Sequence, residues 1–199
     1  MYPTNVNKLI ECFKRFPTIG PKSAERIVFH LLKEWSTEDV ERFAQAMVAS
    51  KRTIRHCKVC CNISETEICS ICSSPKRDQG VICVVTDEKS QTAIERAKEF
   101  KGTYHILGGV LSPMDGVGVD DLNINALIYR VKEKPPQELI FALPPEMRAE
   151  TTMLLIAQML KPFVSNVTRI SFGIPANGEL EYADDLTISR ALSDRRSID

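Results

Sequence analysis

Apolar residues recur at helical spacing through the first 55 positions and give way to short continuous apolar runs beyond residue 80. Val6, Leu9, Ile10, Phe13 and Phe16 mark a first helix. Pro17 and Gly20 interrupt it, and Pro21 suits the first position of a second helix, where its missing N–H costs nothing. Ala24, Ile27, Val28, Leu31, Leu32 and Trp35 then form one stripe. Ser36 with Asp39 three residues on is a variant of the capping box. Val40, Phe43, Ala44, Met47 and Val48 extend the pattern into a third helix. The expectation is a compact helical module over residues 1–55.

The period then changes. VICVV at 81–85 is an uninterrupted apolar run, as in a strand buried on both faces. Ala93, Ile94, Ala97 and Phe100 return to helical spacing, followed by TYHILGG as strand, NINALIYRV as helix, ELIFAL as strand, AETTMLLIAQML as helix and VTRISF as strand. This alternation predicts a parallel sheet with right-handed crossovers over residues 79–173. The remainder, 174–199, predicts a turn at Asn177-Gly178 and a short amphipathic helix, forming a C-terminal arm.

Composition adds a class and a compartment. The 199 residues are 43% hydrophobic and 26% charged, the balance of a globular chain with its own core. No apolar run reaches membrane-spanning length, and the first residues do not read as an export signal. A reducing cytoplasm is therefore expected, where clustered thiols point to metal or redox chemistry rather than disulfides. The formal charge is zero overall but uneven, with residues 1–56 at +4 and residues 79–199 at −4. A basic front and an acidic back predict different partners for the two ends.

Five of the seven cysteines fall in CKVCCNISETEICSIC. Cys57 and Cys60 form one C-x-x-C, and Cys69 and Cys72 form another. Each pair can turn two thiolates toward one ion, and four thiolates close a tetrahedral shell. Zinc is the favoured metal, with an iron–sulfur cluster the alternative. A closed shell admits no substrate, so a structural finger over 56–78 is expected. A redox C-x-x-C is disfavoured, because that motif usually stands alone beside a βαβ unit. Cys61 competes with Cys60 for the second ligand position, where symmetrical spacing favours Cys60, and His56 is expected to flank the site. Cys12 and Cys83 are expected to be core residues.

The stretch IGPKSAER resembles part of a phosphate-binding P-loop, but no glycine stands five positions before Gly20 and Pro21 displaces Lys22. A helix–hairpin–helix fits better. Its glycine turn offers backbone amides beside a helix N-terminus, where the macrodipole favours phosphate. Lys22 and Arg26 are four apart and share a face, and Lys14 and Arg15 precede the turn. Such a group suits sequence-independent contact with a nucleic-acid backbone. The competing reading is a plain hairpin with a solvated basic face. Thr18 stands where this motif normally carries glycine.

The hairpin, the paired C-x-x-C motifs, YHILGGVLSPMDGVGVDDLNI from Tyr104 to Ile124 and FGIPANGELEYADDLTISRAL from Phe172 to Leu192 resemble, in that order, the bacterial recombination mediator family RecR. The resemblance spans nearly the whole chain. It implies an α+β protein of four modules: a helix–hairpin–helix, a four-cysteine zinc finger, a Toprim domain with a parallel sheet, and a C-terminal arm. It implies DNA binding led by Lys22 and Arg26, one structural zinc per chain on Cys57, Cys60, Cys69 and Cys72, and assembly as a homo-oligomer. It implies the partners RecO and RecF, which help load RecA onto single-stranded DNA at gaps. The acidic Toprim surface is associated with RecO, and Asp87, Asp115 and Glu150 are the carboxylates expected there.

Two departures bear on chemistry. The family's first Toprim strand ends in Val-Val-Glu, whereas here Thr86 takes the glutamate position and Asp87 follows. After the third strand the family resembles N-P-x-x-E-G-E-A-T, whereas here Pro144, Arg148 and Ala149 replace Asn, Glu and Gly. Toprim phosphoryl chemistry needs clustered carboxylates around divalent ions. Asp115, Asp120 and Asp121 remain, and Asp121 is a candidate cap for the next helix. The missing glutamate counts against magnesium and against the alternative reading, a Toprim nuclease or primase-like enzyme. LEYADD has the look of a Walker B strand, but no Walker A accompanies it, so nucleotide hydrolysis is not expected.

Overall fold

A computed structural model describes residues 2–174 and 178–195. Asn177 of the expected turn lies outside the described residues. The chain divides into two units, Met1–Thr53 and Ile54–Asp199.

The first unit holds α1 (Thr4–Lys14), α2 (Pro21–Glu34) and α3 (Thr37–Thr53). Helix α2 starts as its sequence dictates, with Gly20 extended at the N-cap and Pro21 at the first helical position. Ile10 of α1 packs against Ala24 and Val28 of α2, with Val6, Leu9, Phe13 and Ile19 around them. Ser36 and Asp39 close the predicted box: the Asp39 amide donates to Ser36 Oγ at 3.1 Å, and the Ser36 amide donates to Asp39 Oδ2 at 3.3 Å.

Helix α3 belongs to the same unit but adds nothing to this core. No residue of α3 is buried, and Leu32, Trp35, Phe43, Met47 and Val48 stand exposed. The stripe predicted on α2 is buried only at Ala24, Val28 and Leu31. Periodicity gives a helix an apolar face but does not name what covers it. Cys12 also departs from expectation, being exposed rather than in the core.

The second unit begins with a two-residue ribbon, β1 (Arg55–His56) antiparallel to β2 (Ile63–Ser64). A four-stranded sheet follows, made of β3 (Asp78–Val85), β4 (Gly102–Ile106), β5 (Glu138–Ala142) and β6 (Val167–Arg169), all parallel, in the order β4-β3-β5-β6. The crossovers carry α4 (Glu88–Ala97), α5 (Ile124–Glu133) and α6 (Met147–Leu160). The arm adds α7 (Asp185–Ser193), capped by Asp184, whose Oδ1 accepts the Thr187 amide at 2.9 Å. Leu180–Tyr182 form a single 3-10 turn rather than a strand.

Alternation along the strands divides two cores. Ile82, Val84, Leu139 and Phe141 pack with Leu127 and Val131 of α5 and Ile156 and Leu160 of α6. Cys83, Val85, Tyr104 and Ile106 face the other way, against Ile94 of α4, Phe100 and two residues of the cysteine segment, Cys61 and Ile71. Cys83 is a core thiol, as expected, and burial pushes its pKa up to about 12. Strand β4 is an edge strand, yet all five of its residues are buried.

Candidate metal centre and nucleic-acid interface

Two tight turns build the thiol cluster. The Cys61 amide donates to the Cys57 carbonyl at 3.0 Å, and the Ser73 amide donates to the Cys69 carbonyl at 3.0 Å. Each turn brings its two cysteines to one side. The Sγ atoms of Cys57, Cys60, Cys69 and Cys72 all lie within 4.8 Å of one another, with Cys60 and Cys69 at 3.6 Å. Four sulfurs at about 2.3 Å from a tetrahedral zinc stand about 3.8 Å apart, so the donor set fits the ion closely. The Cys69 amide donates to Cys57 Sγ at 3.2 Å, orienting a first-turn ligand from the second turn.

Charge supports the same reading. Hydrogen bonding to Cys69 and Cys72, together with burial, pushes the Cys60 thiol far up, while the bond from Cys60 holds Cys69 far down. Packed together, the four sulfurs cannot all ionise without a positive centre, and a divalent ion supplies it. The set supports a structural zinc.

Cys61 is excluded from the cluster by its backbone. It takes a left-handed conformation, φ 62°, which turns its side chain onto the sheet core beside Val85 and Ile106. Burial raises its pKa. His56 Nδ1 lies 3.0 Å from the Cys61 carbonyl, so His56 braces this turn and is not a ligand.

Sequence reasoning missed Arg130. From α5 it donates to the Tyr104 carbonyl at 2.6 Å and to Thr103 Oγ1 at 2.8 Å, beside the finger. Burial lowers its pKa, and the nearby cysteine thiolates counter that. Nothing in its helical spacing distinguished it from a surface cation.

The hairpin presents its cations openly. Lys22 and Arg26 are exposed on the side of α2 opposite Ala24 and Val28. Neither they nor Arg15 has an ion-pair partner among the described residues, whereas Lys14 is held by Glu11 at 2.8 Å. A Cβ built at Gly20 meets nothing within 4 Å, so an outside group can approach the first-turn amides. Thr18 sits at φ 67°, the left-handed region that explains the usual glycine there.

The three carboxylates expected on the acidic surface are all engaged within the chain. Asp87 caps α4, its Oδ1 accepting the Ser90 amide at 2.8 Å, which lowers its pKa. Asp115 Oδ2 accepts from Ser112 Oγ at 2.5 Å and from Arg148 at 2.6 Å, and both contacts lower its pKa. Glu150 lies 3.9 Å from Arg190 of the arm. Thr86, at the end of β3, shares a 3.3 Å contact with Ser90 Oγ and brings no charge. Asp121 caps no long helix; its Oδ2 accepts the Gly118 amide at 2.8 Å, and Asn123 stands at the N-cap of α5. Among the described residues, the cysteine set is the one group of three or more cysteine, histidine or acidic side chains arranged to hold a metal.

Comparison with known proteins covers the chain module by module. Family models match the RecR helix-hairpin-helix at residues 6–51, the RecR four-cysteine zinc finger domain at 54–74, the Toprim domain at 80–171 and the RecR C-terminal region at 173–196. The chain is 48% identical over 199 residues to the recombination protein RecR of Acaryochloris marina, covering 100% of this chain and 98% of that protein. It is 48% identical to that of Thermobifida fusca over 199 residues, covering 100% of both. The RecR of Synechococcus elongatus is 44% identical over 198 residues, covering 100% of this chain and 98% of its own. With its hairpin, four-cysteine finger, parallel sheet and arm in that order, the chain belongs to the RecR family of recombination proteins.

Proposed function

We propose that this protein is a non-enzymatic, DNA-binding mediator of recombinational repair, acting with RecO and RecF to help load RecA onto single-stranded DNA at gaps. The observation that carries the DNA-binding half is the hairpin: Lys22 and Arg26, one turn apart on α2, are exposed and without an ion-pair partner among the described residues, next to an unobstructed helix N-terminus. Exposed cations beside a helix N-terminus suit phosphate contacts, which position the backbone without reading base edges, so the contact is sequence-independent. One zinc per chain on the four cysteines is structural, since its ligand shell is closed by protein.

The non-enzymatic half rests on the end of β3. Open α/β sheets hold ligands beyond the carboxyl ends of their strands, where the strand order reverses. Here that place offers Thr86 and a cap, Asp87. Arg148 sets a guanidinium on Asp115, supplying the positive charge that a divalent ion would otherwise bring. Magnesium-dependent phosphoryl transfer has little to assemble on. Assembly as a homo-oligomer is supported by the uncovered apolar face of α3.

The test is DNA binding by the double variant Lys22→Ala/Arg26→Ala. Affinity is expected to fall across unrelated sequences, with the salt slope reduced by about two. Unchanged affinity and slope would remove the hairpin as the DNA surface.

A further inference from the structure

A cleft of about 410 Å³ lies within the second unit, between the finger and α5. Lys58 and Val59 form its finger wall, and Ala126, Tyr129, Arg130 and Lys134 its helical wall. Tyr129 is 68% exposed and has neither a hydrogen bond nor a ring partner among the described residues. Ala126, one turn before it, lines the same cleft. The Lys134 ammonium has no ion-pair partner among the described residues. Lys58 is paired with Glu67 at 2.9 Å, both side chains about two-thirds exposed, a contact that yields readily to a phosphate. Arg130 fixes the floor through its two bonds to β4. Glu133 is the only carboxylate among the lining side chains, so the cleft is cationic although residues 79–199 are net negative.

We propose that this cleft is a second nucleic-acid contact, separate from the hairpin, which takes single-stranded DNA by stacking a base on Tyr129 with flanking phosphates on Lys58 and Lys134. An idle aromatic ring between exposed cations is the pairing that serves strands without sequence preference. A stacked duplex offers no free base face to the ring, so the cleft discriminates against it. An acidic peptide would satisfy the lysines but leave the ring unused. The inference extends the DNA-binding reading above and rests on it only in that both concern nucleic acid.

The test uses the zinc-loaded 199-residue protein with oligo-dT of about sixteen nucleotides, the upper end of a single-strand site, and a duplex of equal length. Tyr129→Ala is expected to weaken oligo-dT binding about tenfold while duplex binding holds, and Tyr129→Phe is expected to restore it. Lys134→Ala is expected to reduce the salt slope for oligo-dT by about one. A 4-thiothymidine strand should cross-link to the peptide carrying Tyr129, and should still do so in Lys22→Ala/Arg26→Ala. Oligo-dT affinity unchanged in Tyr129→Ala, or equal losses for single strand and duplex, would overturn the proposal. Cross-links confined to the hairpin would overturn it too, while leaving the hairpin reading intact.

Discussion

The Cys60 carbonyl accepts the Ile106 amide at 2.8 Å, so the finger is hydrogen-bonded to the free edge of β4. A metal-ligand residue thereby satisfies one amide of a sheet edge. Zinc binding contributes roughly 10–16 kcal/mol in isolated finger peptides, and order in this segment is expected to depend on it. Chelation should therefore release the Ile106 amide and residues 55–72 to rapid hydrogen exchange. Amides of β3 and β5, which pair with each other inside the sheet, should stay protected. Equal protection with and without metal would show that the finger holds itself.

His105 sets a pH dependence. It is fully buried in β4, and Nε2 donates to the Asn123 carbonyl at 2.9 Å. Burial brings its pKa down from 6.5 to about 4. Between those values the unfolded chain takes up a proton and the folded chain does not. The stabilisation is present above pH 6.5 and is lost as pH falls toward the folded pKa, by roughly 3 kcal/mol. His105→Gln should lack this dependence. Urea midpoints of the two proteins, followed from neutral pH down to the folded pKa of about 4, should converge; parallel curves would refute the assignment.

Thr18 is a β-branched residue held at φ 67°. Such strain costs about 1–3 kcal/mol, and glycine removes it at some cost in chain entropy. Thr18→Gly is expected to raise stability by about 1 kcal/mol and to leave DNA affinity unchanged. A lower urea midpoint would mean that Thr18 makes a compensating contact.

The apolar face of α3 bears on assembly. Trp35 and Phe43 meet edge-to-face at 5.6 Å, and Met47 is 50% exposed one turn on. Phe43→Glu with Met47→Glu should shift the mass in light scattering to a smaller species while helicity by circular dichroism is retained. An unchanged mass would place the oligomer contact elsewhere.

The parallel sheet was legible because VICVV and ELIFAL are apolar on both faces, which only buried strands require. The finger ligands were legible because paired spacing constrains geometry. Cys61 was not, since its exclusion follows from one backbone angle that composition does not encode. Nor was the exposure of α3, because a stripe at the right period looks the same covered or bare. Strand β6, expected to run through VTRISF, stops at Arg169, where its pairing with β5 ends at Phe141. Arg130 and Arg190 escaped notice for a common reason: their partners lie far along the chain, at Thr103, Tyr104, Pro145 and Glu150.

A cationic partner arriving at Asp115 or Glu150 finds a guanidinium already there. It exchanges one charge pair for another, and the net gain is the small difference between two similar contacts. Discrimination then falls to shape and to apolar surface, which Met114 and Met147, both widely exposed near these residues in sequence, can provide. Recognition built on exchange would be weakly sensitive to salt, unlike the hairpin, so rising ionic strength would loosen the hairpin contact first.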